Sequence, residues 1–134
     1  MTPKRTPHLI LGKIDIAALL AAQKSFDDAL PNLHHSLLER DGAIQRFEYT
    51  FELAWKTMKR ILQFKGSTSQ LPRDVIRDAA ANGLIDNPVV WFEFLEKRNK
   101  TSHIYEESVA NEVASVLPIF HTELESFTQR IKKL

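Results

Sequence analysis

The sequence predicts an all-α up-and-down four-helix bundle with one additional short helix. Three observations predict it. Apolar residues recur at steps of three, four or seven along nearly the whole chain, as one face of a helix requires. Helix punctuation falls between these stripes, at Asp41-Gly42, Gly66, Asn82-Gly83 and Asn87-Pro88. No segment alternates apolar and polar residues convincingly enough to read as a strand. A helix with a single apolar stripe must bury it against others, and the bundle is the architecture that does so.

The first long segment carries Ile16, Leu19, Phe26, Leu30, Leu33 and Leu37. Pro31 falls within this seam and removes a backbone donor. Because the register continues across it, one kinked helix is expected, with Asp41-Gly42 as the turn that follows. The second helix is expected from about Ala43 to Phe64, with Ile44, Phe47, Phe51, Ala54, Met58 and Ile61 as its stripe and Gly66 as its C-terminal cap. After the loop GSTSQL, Pro72 opens the short third helix, although Leu71 is a poor cap before it. Val75, Ile76 and Ala79 give this helix one apolar face, and Asn82-Gly83 ends it. Asn87 and Pro88 suit an N-cap and a first helical residue, and the fourth helix then carries Trp91, Phe94 and Leu95. The last helix begins near Glu106-Glu107, acids suited to a helix start. Its stripe is Val109, Val113, Val116, Phe120, Leu124, Phe127 and Ile131, with a kink expected at Pro118.

A chain of 134 residues suits one domain. We expect a flexible N-terminal arm over residues 1–9 and a single helical domain over 10–134. Hydrophobic residues make up 43% against four Gly and six Pro, a globular composition. No apolar run approaches the roughly 18 residues of a membrane span, and the run Leu9 to Leu11 is too short for a signal peptide. The chain has no cysteine, which excludes disulfides, thiolate metal sites and thiol nucleophiles. A cytoplasmic location is the expectation. The net charge of +1 argues against a strongly basic nucleic-acid coat and leaves room for a local phosphate site. No metal or cofactor is expected. His34 and His35 point about 100° apart on a helix and cannot serve one ion, and His121 lies off the apolar stripe, facing solvent.

The chemistry concentrates in RNKTSHIY, Arg98 to Tyr105. Positions 91, 94, 95 and 98 share a helix face, so Arg98 points where Trp91 and Leu95 point. A buried, unpaired guanidinium is costly: it must meet a carboxylate, lie in a cleft, or await an anion. Asn99 and His103 are four apart, so a continuing helical turn would align them, and Thr101 and Ser102 add hydroxyls. A compact polar cluster at the start of the next helix is expected, a place that attracts anions. A histidine that titrates near neutral pH can take a proton from a ribose 2′-hydroxyl. An arginine can hold the phosphate and its developing charge. On the second helix, Gln45, Glu48, Glu52 and Lys56 form a polar stripe. Glu52 and Lys56 suit a surface pair, and either Glu48 or Glu52 suits a partnership with Arg98. Trp55 and Trp91 read as core or interface anchors.

RNKTSHIY resembles the motif of the HEPN superfamily, arginine, four residues, histidine, with the tyrosine two further on that marks toxins encoded beside minimal nucleotidyltransferases. The stretches DGAIQRFEYTFELAWKTMK (41–59), PRDVIRDAAANGLID (72–86) and VWFEFLEKRNKTSHIYEE (90–107) are similar to nucleotidyltransferase substrate-binding subunits. The resemblance spans roughly residues 10 to 130 and implies a HEPN-like bundle. It further implies that Arg98 and His103 are the catalytic pair of a metal-independent endoribonuclease and that Asn99 supports them. It makes Tyr105 the residue a partner minimal nucleotidyltransferase modifies with AMP to silence the toxin, and a homodimer the working unit, with Phe92, Trp91 and Trp55 available for its interface. The other function it implies is a non-catalytic subunit that binds nucleotide or substrate for that enzyme. Tyr105 has a second reading on periodicity: counting back by fours from Val113 places it on the apolar stripe. Gly66-Ser67 faintly resembles the start of a nucleotidyltransferase signature, but the paired acids that should follow are absent, so this chain is not itself that enzyme.

Overall fold

The computed structural model describes residues 6–134. It is an all-α bundle entered through a very small hairpin: β1 (Leu9–Ile10) pairs antiparallel with β2 (Ile14–Asp15). Six α-helices follow: α1 (Ala17–Ala29), α2 (Leu37–Phe64), α3 (Pro72–Ala81), α4 (Pro88–Asn99), α5 (Glu107–Ala114) and α6 (Leu117–Ile131). Residues 1–5 of the expected N-terminal arm lie outside the described residues; Leu9, its last residue, is in β1. No described helix is long and apolar enough to cross a membrane.

The hairpin corrects the expectation of no strand. Two residues per strand are too few to show an alternating pattern. They are held because Ile10 and Ile14 are buried in the core and the turn uses Leu11 and Gly12 at positive φ. The Asp15 carboxylate accepts from the amides of Ala17 and His8, which holds its pKa below the ordinary value and fastens the start of α1.

The expected kinked first helix is two elements. α1 stops at Ala29, and Pro31 sits in a 3₁₀ turn at Leu30–Asn32, where its missing amide costs little. α2 then starts at Leu37, not Ala43. Ser36 is extended, and its hydroxyl accepts from the amide of Glu39 at 3.1 Å, so Ser36-x-x-Glu39 caps the helix. Asp41-Gly42 is therefore inside α2 and makes no turn; the Gly42 carbonyl accepts from Arg46 at 3.0 Å. Leu37, placed on the apolar seam by periodicity, is exposed.

The later boundaries follow the punctuation. Gly66 at φ 94° and Gly83 at φ 75° end α2 and α3 in the left-handed region, where a side chain would be strained. The Asn87 side chain accepts from the amide of Val89 and caps α4. The last segment is broken, not kinked. α5 ends at Ala114, and Pro118 lies in the first turn of α6, where proline is at home.

Phe120 of α6 stands at the centre of the core. Its ring meets Phe47 at 4.9 Å, Phe94 at 5.2 Å and Phe26 at 5.3 Å, each edge to face. Trp91 packs in the same cluster and is fully buried. This withdraws Trp91 from any interface; Trp55 and Phe92 are half-buried, and Phe92 lies under Arg73 and Arg77. His121 is also less free than expected, with its Nδ1 2.8 Å from Asp27 of α1.

Candidate functional site

Arg98 ends the apolar face of α4 at the rim of the core. Trp91 and Phe94 anchor that face completely, and two turns past Trp91 the guanidinium emerges with its side chain 32% exposed. Its Nη2 donates to Glu52 Oε1 at 3.2 Å. The other Glu52 oxygen accepts from the Trp55 indole at 2.9 Å, so Trp55 holds the carboxylate in place for Arg98. Of the two glutamates on α2 open to this role, the structure pairs Arg98 with Glu52. Glu48 is one turn away and half-buried. Lys56 is exposed and makes no ion pair with Glu52 among the described residues. Arg98 Nε is buried with no hydrogen-bond partner.

Past Arg98 the chain turns sharply. Thr101 is buried, and its hydroxyl donates to the Arg98 carbonyl at 2.8 Å, closing the end of α4. A 3₁₀ turn at Thr101–His103 follows. α4 therefore does not continue far enough to align Asn99 with His103. Asn99 and Ser102 are both exposed, and no hydrogen bond joins either to the pair among the described residues. The expected compact polar cluster is instead two adjoining groups: Arg98 with Glu52 and Trp55, and His103 with Tyr105. In the second, His103 Nδ1 lies 3.3 Å from the Tyr105 hydroxyl and the rings meet edge to face at 6.0 Å. Tyr105 is 78% exposed. Its place on the apolar stripe does not materialise because α5 starts two residues later, at Glu107, so the helical count does not reach back to it.

Two ion clusters brace the turn that carries these residues, and neither was anticipated. On one side, Glu112 of α5 accepts from Lys97 at 3.0 Å and Lys100 at 2.7 Å. The hydrogen bonds from Lys100 and Lys97 hold the Glu112 carboxyl below its ordinary value. On the other side, the buried Arg40 of α2 donates to Glu107 at 2.5 Å and also meets Asp41 and Asn111. Arg40 holds Glu107 below the ordinary value in the same way, and Glu107 raises the Arg40 pKa in return. These contacts join positions 67 and 71 residues apart, which no local spacing reveals. Both clusters tie α5 to its neighbours, and the Arg98–Tyr105 turn is suspended between α4 and α5.

Chemically, the arrangement offers a fixed, partly exposed cation, an exposed imidazole five residues on, and a phenol in contact with that imidazole. If the His103 Nδ1–H faces the Tyr105 oxygen, Nε2 is left unprotonated and points away from that contact, free to accept a proton.

Comparisons with known proteins place this architecture. A 33% identical stretch of 97 residues relates the chain to a Haemophilus influenzae protein named probable ribonuclease HepT. The match covers 69% of this chain and 66% of that protein, just under two thirds of its length. A crystal structure from Thermus thermophilus matches with a TM-score of 0.80 and 31% identity, over 84% of this chain and 98% of that one. A Haemophilus influenzae structure, described as revealing the fold of a substrate binding domain of a nucleotidyltransferase, matches with a TM-score of 0.79 and 26% identity. It covers 88% of this chain and 99% of that one. The family model for nucleotidyltransferase substrate binding protein like sequences matches residues 15–133, nearly all of the described fold, and the chain belongs to this family.

Proposed function

We propose that this protein is a metal-independent endoribonuclease of HEPN type, silenced by a partner minimal nucleotidyltransferase that transfers AMP to Tyr105. The observation that carries the reading is the pairing of two features in one short turn: Arg98 fixed by Glu52 with about a third of its side chain exposed, and His103 exposed beside the Tyr105 hydroxyl. The exposed part of the Arg98 guanidinium can donate a charge-assisted hydrogen bond to a phosphate oxygen. In the reaction, His103 Nε2 takes the proton of a ribose 2′-hydroxyl. The 2′-oxygen attacks the adjoining phosphorus, the bond to the 5′-oxygen breaks, and a 2′,3′-cyclic phosphate remains. Arg98 holds the negative charge that builds on the phosphoryl oxygens. The 5′-oxygen leaves with a proton, which a second histidine from a partner chain can supply. The relative named a probable ribonuclease supports this reading.

Silencing uses the exposure of Tyr105. Its phenol gives up its proton to a base of the nucleotidyltransferase, the oxygen attacks the α-phosphorus of ATP, and the α–β bridging bond breaks as pyrophosphate departs. The new phosphodiester places negative charge beside His103 and Arg98, where an RNA phosphate would otherwise bind. The second reading is a non-catalytic subunit that holds nucleotide or substrate for the nucleotidyltransferase, and the relative described as a substrate binding domain favours it. One experiment separates the two: purified protein is incubated with single-stranded RNA in EDTA. Cleavage that persists in the chelator and vanishes in both His103→Ala and Arg98→Ala is expected. Undiminished activity in His103→Ala, or strict dependence on added magnesium, overturns the mechanism.

A further inference from the structure

The pairing of Glu52 with Arg98 leaves Glu48 without an assigned task. Neither Glu48 nor Gln45, one turn before it on α2, makes a side-chain hydrogen bond among the described residues. Both line a cleft of about 380 Å³. Its apolar walls are Ile44 and Leu38 of α2 and Ile104, and Gly42 borders it. Ile104 is the residue between His103 and Tyr105, so the cleft opens beside the motif. Asp41 also borders it, but its charge is already engaged by Arg40.

We propose that this cleft is a nucleobase subsite, taking the base of the nucleotide whose phosphate lies at Arg98 and His103; the inference rests on the phosphate-binding reading above. Three features point to that ligand. Glu48 and Glu52 lie one helical turn apart, about 6 Å along the axis. A base at Glu48 and a phosphate on the exposed side of Arg98, the guanidinium that Glu52 anchors, are thus separated by about the span of a ribose. Leu38 and Ile104 offer apolar contact to the faces of a planar ring. The polar groups suit a base edge and not a phosphate: a carboxylate repels phosphate and only accepts hydrogen bonds, whereas the Gln45 amide both donates and accepts. An acceptor-only group selects an edge with adjacent N–H donors. Guanine presents two, at N1 and N2, to a single carboxylate. Adenine and cytosine present an amino group, and uracil sets a lone imino donor between two carbonyl acceptors that face Glu48 unfavourably. The order is guanine first, adenine and cytosine next, uracil last.

The test uses the full chain carrying His103→Ala, so that binding is read without turnover. GMP, AMP, CMP, UMP and inorganic phosphate are titrated, with the methyl resonances of Ile44 and Ile104 as reporters. GMP is expected to bind at least about tenfold more tightly than UMP, the size of one good bidentate base contact, and to shift both methyls. Phosphate alone is expected to shift neither. Glu48→Gln in the same background should erase the guanine preference. Equal binding of all four nucleotides, or a preference that survives Glu48→Gln, overturns the proposal. The parent protein's RNA cleavage is scored separately. Base-selective binding without cleavage strikes the ribonuclease mechanism and leaves the subsite standing, and cleavage without base selectivity does the reverse.

Discussion

Tyr105 shows how much a single position can decide. With the residue 78% exposed and its hydroxyl 3.3 Å from His103, it is accessible to another protein's active site and adjacent to the proposed base. Incubation with the partner nucleotidyltransferase, ATP and magnesium should add the mass of AMP at Tyr105 and abolish RNA cleavage. Tyr105→Phe should keep cleavage, since the imidazole remains, and should resist silencing. Modification of Tyr105→Phe to the parent extent would identify another acceptor. Arg98 and Glu52 make a second residue-scale case. Both side chains are about one-third exposed, so their pairing contributes at most about 1 kcal/mol to stability. Glu52→Gln should therefore leave the thermal midpoint nearly unchanged while lowering the cleavage rate, because an unanchored guanidinium must be ordered again at each turnover. A Glu52→Gln protein as active as the parent would remove Glu52 from the positioning of Arg98. The motif residues themselves were legible in the sequence, because their spacing is local. The choice between Glu48 and Glu52 was not: the two differ by one helical turn, and only the packing of α4 on α2 decides which faces Arg98.

At the scale of elements, the sequence was most readable where one residue type has one physical reason to be present. Gly66, Gly83 and the Asn87-Pro88 pair end or begin helices as their chemistry demands. It was least readable where two rules competed. Asp41-Gly42 carries a turn signal, yet glycine inside a helix costs only about 1 kcal/mol, and the Ser36 cap together with the Arg40–Glu107 pair holds the helix through it. The cap was itself legible as Ser-x-x-Glu, and it would have moved the start of α2 to Leu37. Pro31 and Pro118 mark helix ends because each falls in a first turn, not an interior. The bracing of α5 gives an element-scale prediction. Glu107 and Glu112 are held below the ordinary glutamate value of 4.5 by Arg40 and by the two lysines. A carboxyl lowered on folding leaves the unfolded chain binding more protons in that range, so stability rises with pH there. This contribution is full above the ordinary value and fades as pH falls through the lowered one. Urea midpoints measured from about pH 6 down to about pH 3 should drop, and Glu107→Gln should start lower and fall less steeply. Parallel curves for the two proteins would show that the Arg40–Glu107 contact does not support the fold.

At the scale of the whole molecule, the chain presents a single Arg98–His103 pair, and the proposed reaction calls for two proton transfers, one from the 2′-hydroxyl and one to the 5′-oxygen. A homodimer that brings two motifs to one cleft meets that need. The fully buried Trp91 cannot contribute to its interface. The exposed Leu37, at the start of α2, is better placed to do so than Trp91. Light scattering at micromolar concentration should give twice the chain mass of 15.4 kDa. The functional form of the prediction is sharper. Parent chains are unfolded and refolded together with increasing proportions of His103→Ala chains at fixed total concentration, and RNA cleavage is measured. If one histidine from each protomer serves each cleavage, a mixed dimer is inactive and the rate falls as the square of the parent fraction: with equal amounts it drops to about one quarter. If each motif works alone, the rate follows the parent fraction itself. A linear dependence, or a monomer by scattering, would return both proton transfers to one protomer, with the leaving 5′-oxygen protonated by solvent or by His103 after it has taken the first proton.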